Sequence, residues 1–205
     1  MSDANMSGSR GHVLAPTTGT VEMDGAVFRR EDLALRRRLL HLPDFPLFMP
    51  GHSALDHLAM MLALYGKDVA THQERAADLL TALDLQALAT KALPTLSRGQ
   101  AYKVAMAGLV LADPELWLLD EPFASGMDPR GLLALKTWAR QATAKGATVL
   151  YTTQHPDLAQ RFADRVLVLL NGSVVIDLQR AELDSMPIEG PGSLEERIRT
   201  CGPLA

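Results

Sequence analysis

Leu116-Trp117-Leu118-Leu119 is an unbroken apolar run that stops on Asp120-Glu121-Pro122. A strand with no polar alternation belongs where both faces are buried, as in the parallel sheet of an α/β domain. The sequence after it keeps to that architecture. Pro129 to Ala144 has helical period, with proline at an allowed early position. Thr148–Thr152 reads as a strand, Pro156–Ala163 as a short helix and Val166–Leu170 as another strand. Asn171-Gly172 then turns the chain into Val174–Asp177. Strands alternating with helices predict a parallel sheet covered on both faces.

The upstream half reads differently. Thr20–Met23, Asp24-Gly25 and Ala26–Phe28 predict a short hairpin, since Asp-Gly supplies the positive φ of a type I′ turn. Arg38–Leu42 is a strand candidate ended by Pro43, and Pro43, Pro46 and Pro50 shape the loop that follows. Ser53 and Asp56 have the spacing of a helix capping box. Leu55, Leu58, Ala59, Leu62 and Tyr65 give one helix, and Ala76, Ala77, Leu80 and Leu83 a second within Gln73–Leu85. These predict a small helical lobe over residues 51–93. A third helix runs from Gly99 to Leu111, and the tail from Glu182 holds one or two more.

Composition narrows the function classes. With 47% apolar residues the chain can build a core. A net charge of −4, spread without blocks, argues against a nucleic-acid surface. Arg36-Arg37-Arg38, the longest basic run, reads as a solvated strand entrance. Cys201 is the single cysteine, so no internal disulfide forms, which fits a cytoplasmic location. No apolar stretch reaches the ~20 residues of a membrane span, and the polar start reads as a disordered tail over residues 1–11.

Three places carry chemistry. Asp120 and Glu121 sit at the carboxyl end of a strand, where ligands bind in parallel sheets. One carboxylate there can hold Mg²⁺ through water and the next can act as a general base; two acids favouring the start of the next helix are the plain alternative. Ser97, Arg98, Gly99 and Gln100 precede a helix. A hydroxyl, a residue without Cβ and free helix-start N–H groups suit an anion, while a simple N-cap explains Ser97 equally well. His155 follows a strand and can donate to a phosphate. His41, His52, His57 and His72 read as packing or capping residues.

Together, Leu96-Ser97-Arg98-Gly99-Gln100, the apolar strand with Asp120-Glu121-Pro122, Ser125-Gly126-Met127-Asp128 and His155 resemble the ABC-type ATPase family in order and separation, from about Ala15 to Asp177. The resemblance implies a P-loop NTPase-like (RecA-like) α/β parallel sheet core with a small helical subdomain, N-terminally incomplete. Its expected divisions are a remnant of the ATP-binding lobe over 12–50, the helical subdomain over 51–93, a core over 94–178 and a tail over 179–205. It implies ATP and Mg²⁺ as cofactors, with Asp120 as the Walker B aspartate and Glu121 as the catalytic base. His155 matches the switch histidine and Asp128 closes the D-loop. Ser97, Arg98, Gly99 and Gln100 stand in the signature that reaches nucleotide on another subunit. Asp44 stands where the Q-loop glutamine is usual, as a possible Mg²⁺ ligand. Implied partners are a membrane subunit, facing the apolar loop Phe45–Met49, and a second, complete ATP-binding subunit, at the inner face of the cell membrane.

The sequence departs from the family at one decisive point. It contains no G-x-x-x-x-G-K-S/T phosphate loop. Its own site is therefore expected to bind ATP weakly or not at all. Lending Ser97 and Gly99 to a complete partner is the first expectation. A truncated, non-catalytic cassette serving dimerisation or regulation is the alternative.

Overall fold

The computed structural model describes residues 17–29 and 31–201. The expected tail and Leu14–Pro16 lie outside them. The described residues form two compact units that divide between Thr152 and Thr153.

The first unit opens with the predicted hairpin, β1 (Glu22–Met23) and β2 (Ala26–Val27), paired antiparallel. Asp24 takes a positive φ of 50° in its turn. The short helix α1 (Leu33–Arg37) takes up two residues of the basic run. Arg38 leads into β3 (Leu39–Leu42) and pairs with both Asp24 and Glu115, tying the hairpin to the sheet. β3 is followed by α2 (Ala54–Leu64), closed at its start by the Ser53–Asp56 capping box. α3 (Gln73–Ala82) comes next, then α4 (Arg98–Ala112), β4 (Leu116–Leu119), α5 (Pro129–Ala144) and β5 (Thr148–Tyr151). α2 and α3 both pack on α4.

The sheet is parallel in the order β3-β4-β5, with Leu40, Trp117 and Val149 in register and Leu42, Leu119 and Tyr151 two residues further on. That face is covered: α4 packs against β3 and α5 against β5. Trp117 is 2% exposed. The opposite face carries Leu39, His41, Leu116 and Leu118, half-buried, and Leu150, exposed. Here the prediction of two covered faces is corrected: apolar residues occupy both faces, but only one is packed by helices among the described residues.

The second unit contains α6 (Pro156–Phe162), β6 (Arg165–Leu170), β7 (Ser173–Gln179), α7 (Arg180–Ser185) and α8 (Leu194–Thr200). β6 and β7 form an antiparallel pair of their own. Val166–Leu170, expected to continue the parallel sheet, pairs here with β7, which the tight Asn171-Gly172 turn brings back antiparallel. Val166, Leu178, Leu183, Met186 and Leu194 form the core of this unit. Gln160 fastens its tail by donating from Nε2 to the carbonyls of Leu183, Met186 and Pro187 at 3.0–3.2 Å.

Candidate functional site

β3 and β4 run side by side, so the residues that follow them emerge at the same edge of the sheet. Asp120 continues the ladder by donating its N–H to the Leu42 carbonyl at 2.9 Å. Its carboxylate accepts from the Thr152 hydroxyl at 2.7 Å, and that hydroxyl in turn accepts the Glu121 N–H at 3.2 Å. Thr152 thus fixes both acids of Asp120-Glu121-Pro122 from the end of the next strand, a role the sequence reading missed. Glu121 has a φ of 47°, in the left-handed region that a glutamate enters only at a cost. Its backbone turns there so that Ala124 can donate to the Glu121 carbonyl at 3.0 Å.

Asp44 comes from the end of β3 and Tyr102 from the first turns of α4. The Tyr102 hydroxyl is buried, without a hydrogen-bond partner. Burial raises its pKa well above the usual phenol range, and the Asp44 and Asp120 carboxylates push it further up. His41, half-buried, is held below its ordinary pKa by desolvation, against the smaller pull of Asp120. Asp44 itself forms an ion pair with Arg98, whose guanidinium also lies 4.1 Å from the centre of the Phe45 ring. No group of three or more His, Cys, Asp or Glu side chains is placed to hold a metal among the described residues. Mg²⁺ needs only one or two carboxylates when it keeps its waters, so Asp120 fits such a role by its chemistry.

The LSRGQ segment opens α4 through a complete capping box. The Ser97 hydroxyl accepts the Gln100 N–H at 3.3 Å, and Gln100 Oε1 accepts the Ser97 N–H at 2.9 Å. Ser97 and Arg98 are exposed while Gly99 is buried. Gly99 faces the loop after β4 so closely that a Cβ would lie 2.2 Å from the Gly126 carbonyl oxygen. Only glycine allows this approach. Ser125, fully buried, donates its hydroxyl to the Pro122 carbonyl at 2.9 Å and pins the other side of that loop.

Asp128 is the N-cap of α5, accepting the Gly131 N–H at 2.8 Å. Its other oxygen accepts from Lys103 Nζ at 2.6 Å, and Lys103 also donates to the Leu83 carbonyl at 3.1 Å. The Lys103 hydrogen bond, followed by that of Gly131, holds the Asp128 carboxyl below its usual range. Lys103 was not singled out in the sequence, although it is the one cation inside the apolar stretch of α4. One lysine thus joins the helical lobe, the signature helix and the loop ending at Asp128. His155 lies in the second unit as the N-cap residue of α6, exposed, with its N–H donating to Thr153 Oγ1 at 3.1 Å.

Five of the predicted site residues thus take part in three separate contacts within the first unit: Asp120 and Glu121 with Thr152, Gly99 with Gly126, and Asp44 with Arg98. Comparison with known proteins places the chain in a family. Residues 11–124 match the family model described as ABC transporter. The daunorubicin/doxorubicin resistance ATP-binding protein of Streptomyces peucetius is 32% identical over 173 residues, covering 84% of this chain and 52% of that protein. An energy-coupling factor transporter ATP-binding protein of Methanospirillum hungatei is 31% identical over 180 residues, covering 85% of this chain and 64% of the relative. The chain spans about half to two-thirds of the length of such relatives. A solved ATP-binding subunit of an ABC transporter superimposes with a TM-score of 0.82 at 25% identity, over 93% of this chain and 79% of that one. The cbiO1 protein of Clostridium perfringens shares the fold, with a TM-score of 0.65 at 23% identity over 92% of this chain and 73% of its own. The chain belongs to the ABC transporter ATP-binding family.

Proposed function

We propose that this chain is the ATP-binding subunit of an ABC transporter and that it works by lending its signature loop to nucleotide held on a second, complete ATP-binding subunit. The observation that carries this reading is the state of the LSRGQ segment. Ser97 is exposed, its hydroxyl oxygen accepts the Gln100 N–H of the capping box, and its own O–H is left to donate to an anion. Gly99 and Gly126 brace the segment from behind. A loop held in this way needs no rearrangement to meet a phosphate.

On the chain's own side, Asp120 would hold Mg²⁺ and Glu121 would orient an attacking water. Both need a phosphoryl group held in line. In this reading that group is held on the second subunit. The exposed Phe45, Leu47 and Met49 are assigned to the membrane subunit at the cytoplasmic face. Among the described residues no helix is long and apolar enough to cross a membrane.

The experiment is ATP turnover by a co-purified two-cassette assembly. Ser97→Arg in this chain is expected to lower turnover by ~10-fold or more, because a bulky cation replaces the hydroxyl at the nucleotide. Glu121→Gln in the same chain is expected to cost far less. Equal, large losses from both would refute the asymmetric arrangement.

A further inference from the structure

Arg98 stands in the middle of the signature segment, yet its guanidinium does not point freely to solvent. It pairs with Asp44, 54 residues earlier, and covers the Phe45 ring at 4.1 Å. An isolated surface ion pair is worth little. This one has a third member, and its carboxylate side chain is only 26% exposed. Cation–π stacking adds to the pair and fixes the plane of the guanidinium. The Phe45 ring is therefore held against α4 by a residue that also belongs to the anion-facing loop. Phe45, Leu47 and Met49 are otherwise exposed, at 63%, 72% and 55%. Phe48 is anchored separately, with its ring edge-on to His57 at 4.9 Å.

A guanidinium that donates to one carboxylate oxygen can donate to a phosphate instead. Phosphate offers more oxygens, more charge and a bidentate fit. The trade also removes the stack, because the arginine must turn away from the ring to follow the new anion.

We propose that Asp44, Phe45 and Arg98 form an anion-released latch: a polyphosphate arriving at the LSRGQ loop takes Arg98 from Asp44 and frees the Phe45 end of the apolar loop. In this scheme Asp44 is a positioning residue that sets how readily the loop is released. The latch rests on the reading that nucleotide phosphate approaches this loop.

Its test uses ¹⁹F NMR of the whole chain labelled with 4-fluorophenylalanine. There are five phenylalanines, and Phe45→Leu assigns the resonance of interest. Arg98→Gln is expected to shift the Phe45 signal, and Arg98→Lys to shift it part of the way. Sodium tripolyphosphate added to the unsubstituted chain is expected to move the signal toward its Arg98→Gln position. The same additions should leave Arg98→Gln unmoved. Asp44→Asn should lower the half-effective tripolyphosphate concentration by ~3–10-fold, the size of a weak exposed pair. The Asp44→Asn/Arg98→Gln double variant should give no response at all, whereas a general electrostatic effect would persist there. A Phe45 signal indifferent to Arg98→Gln would overturn the latch. So would a signal that responds to Arg98→Gln but not to tripolyphosphate. Loss of the Ser97→Arg effect on turnover, with the Phe45 response intact, would sink the signature-lending function and leave the latch standing.

Discussion

Gly99→Ala puts the packing of the signature loop to a test of sign. Gly99 lies in the first turn of α4 with ordinary helical φ, so local propensity alone favours alanine there by up to ~1 kcal/mol. The tertiary contact says the reverse. The added methyl would sit 2.2 Å from the Gly126 oxygen and 2.8 Å from its carbonyl carbon. Carbon–oxygen contacts settle near 3.3–3.6 Å, so the two backbones must part by about 1 Å. The loop carrying Gly126 cannot yield cheaply, because it is held by the buried Ser125 hydroxyl on one side and the Lys103–Asp128 pair on the other. Overpacking of this kind costs about 1–3 kcal/mol. Urea denaturation of Gly99→Ala is therefore expected to show a lower midpoint with an unchanged slope. Gly108→Ala in the same helix serves as the control. Its methyl would meet the flexible Met61 side chain at 3.1 Å, so its effect should stay within ~1 kcal/mol of zero. A Gly99→Ala chain as stable as the parent, or more so, would refute the close approach.

Two further outcomes follow from buried charge. Asp128→Ala strands the Lys103 ammonium, 5% exposed, with only the Leu83 carbonyl, and should cost ~3 kcal/mol or more; Lys103→Met leaves a half-exposed carboxylate in water and should cost only ~1–2 kcal/mol. Denaturation midpoints that reverse this order would disprove it. His57, buried and lowered from 6.5 to about 4 mainly by desolvation, binds fewer protons folded than unfolded between those values. Stability should therefore fall as pH drops from 6.5 toward 4, by up to ~3 kcal/mol, and His57→Leu should flatten that part of the profile.

Local signals in the sequence proved legible where one segment contains its own partner. The Ser53–Asp56 box, Pro129 at the start of α5 and the Asp24-Gly25 turn each use neighbours a few residues apart. His57 was rightly assigned to packing. The signature segment and the acidic strand end were also recognisable, because each is a short run of unusual composition. Long-range pairings were not. Nothing near Asp44 announces Arg98, and nothing near Gly99 announces Gly126, since both contacts join segments that only the fold brings together. The Lys103 role was nearly visible: an ammonium in an otherwise buried helix needs an acid nearby, but several acids would have satisfied that rule. The sheet was misjudged for a related reason. Apolar residues on both faces of β3, β4 and β5 report a preference for burial, and the preference does not say which faces receive a cover.

The open sheet face also affects how this chain should be watched at the bench. Hydrophobic dyes report unfolding by lighting up on newly bared apolar surface, and here Leu150 is already 58% exposed in the native state. A dye melt would begin bright and compress the transition. Trp117 offers the better signal, since its indole lies on the covered face at 2% exposure with a nitrogen that has no hydrogen-bond partner. With the half-buried Trp138 of α5 replaced by phenylalanine, the emission should start blue and turn red only when the helices leave the sheet.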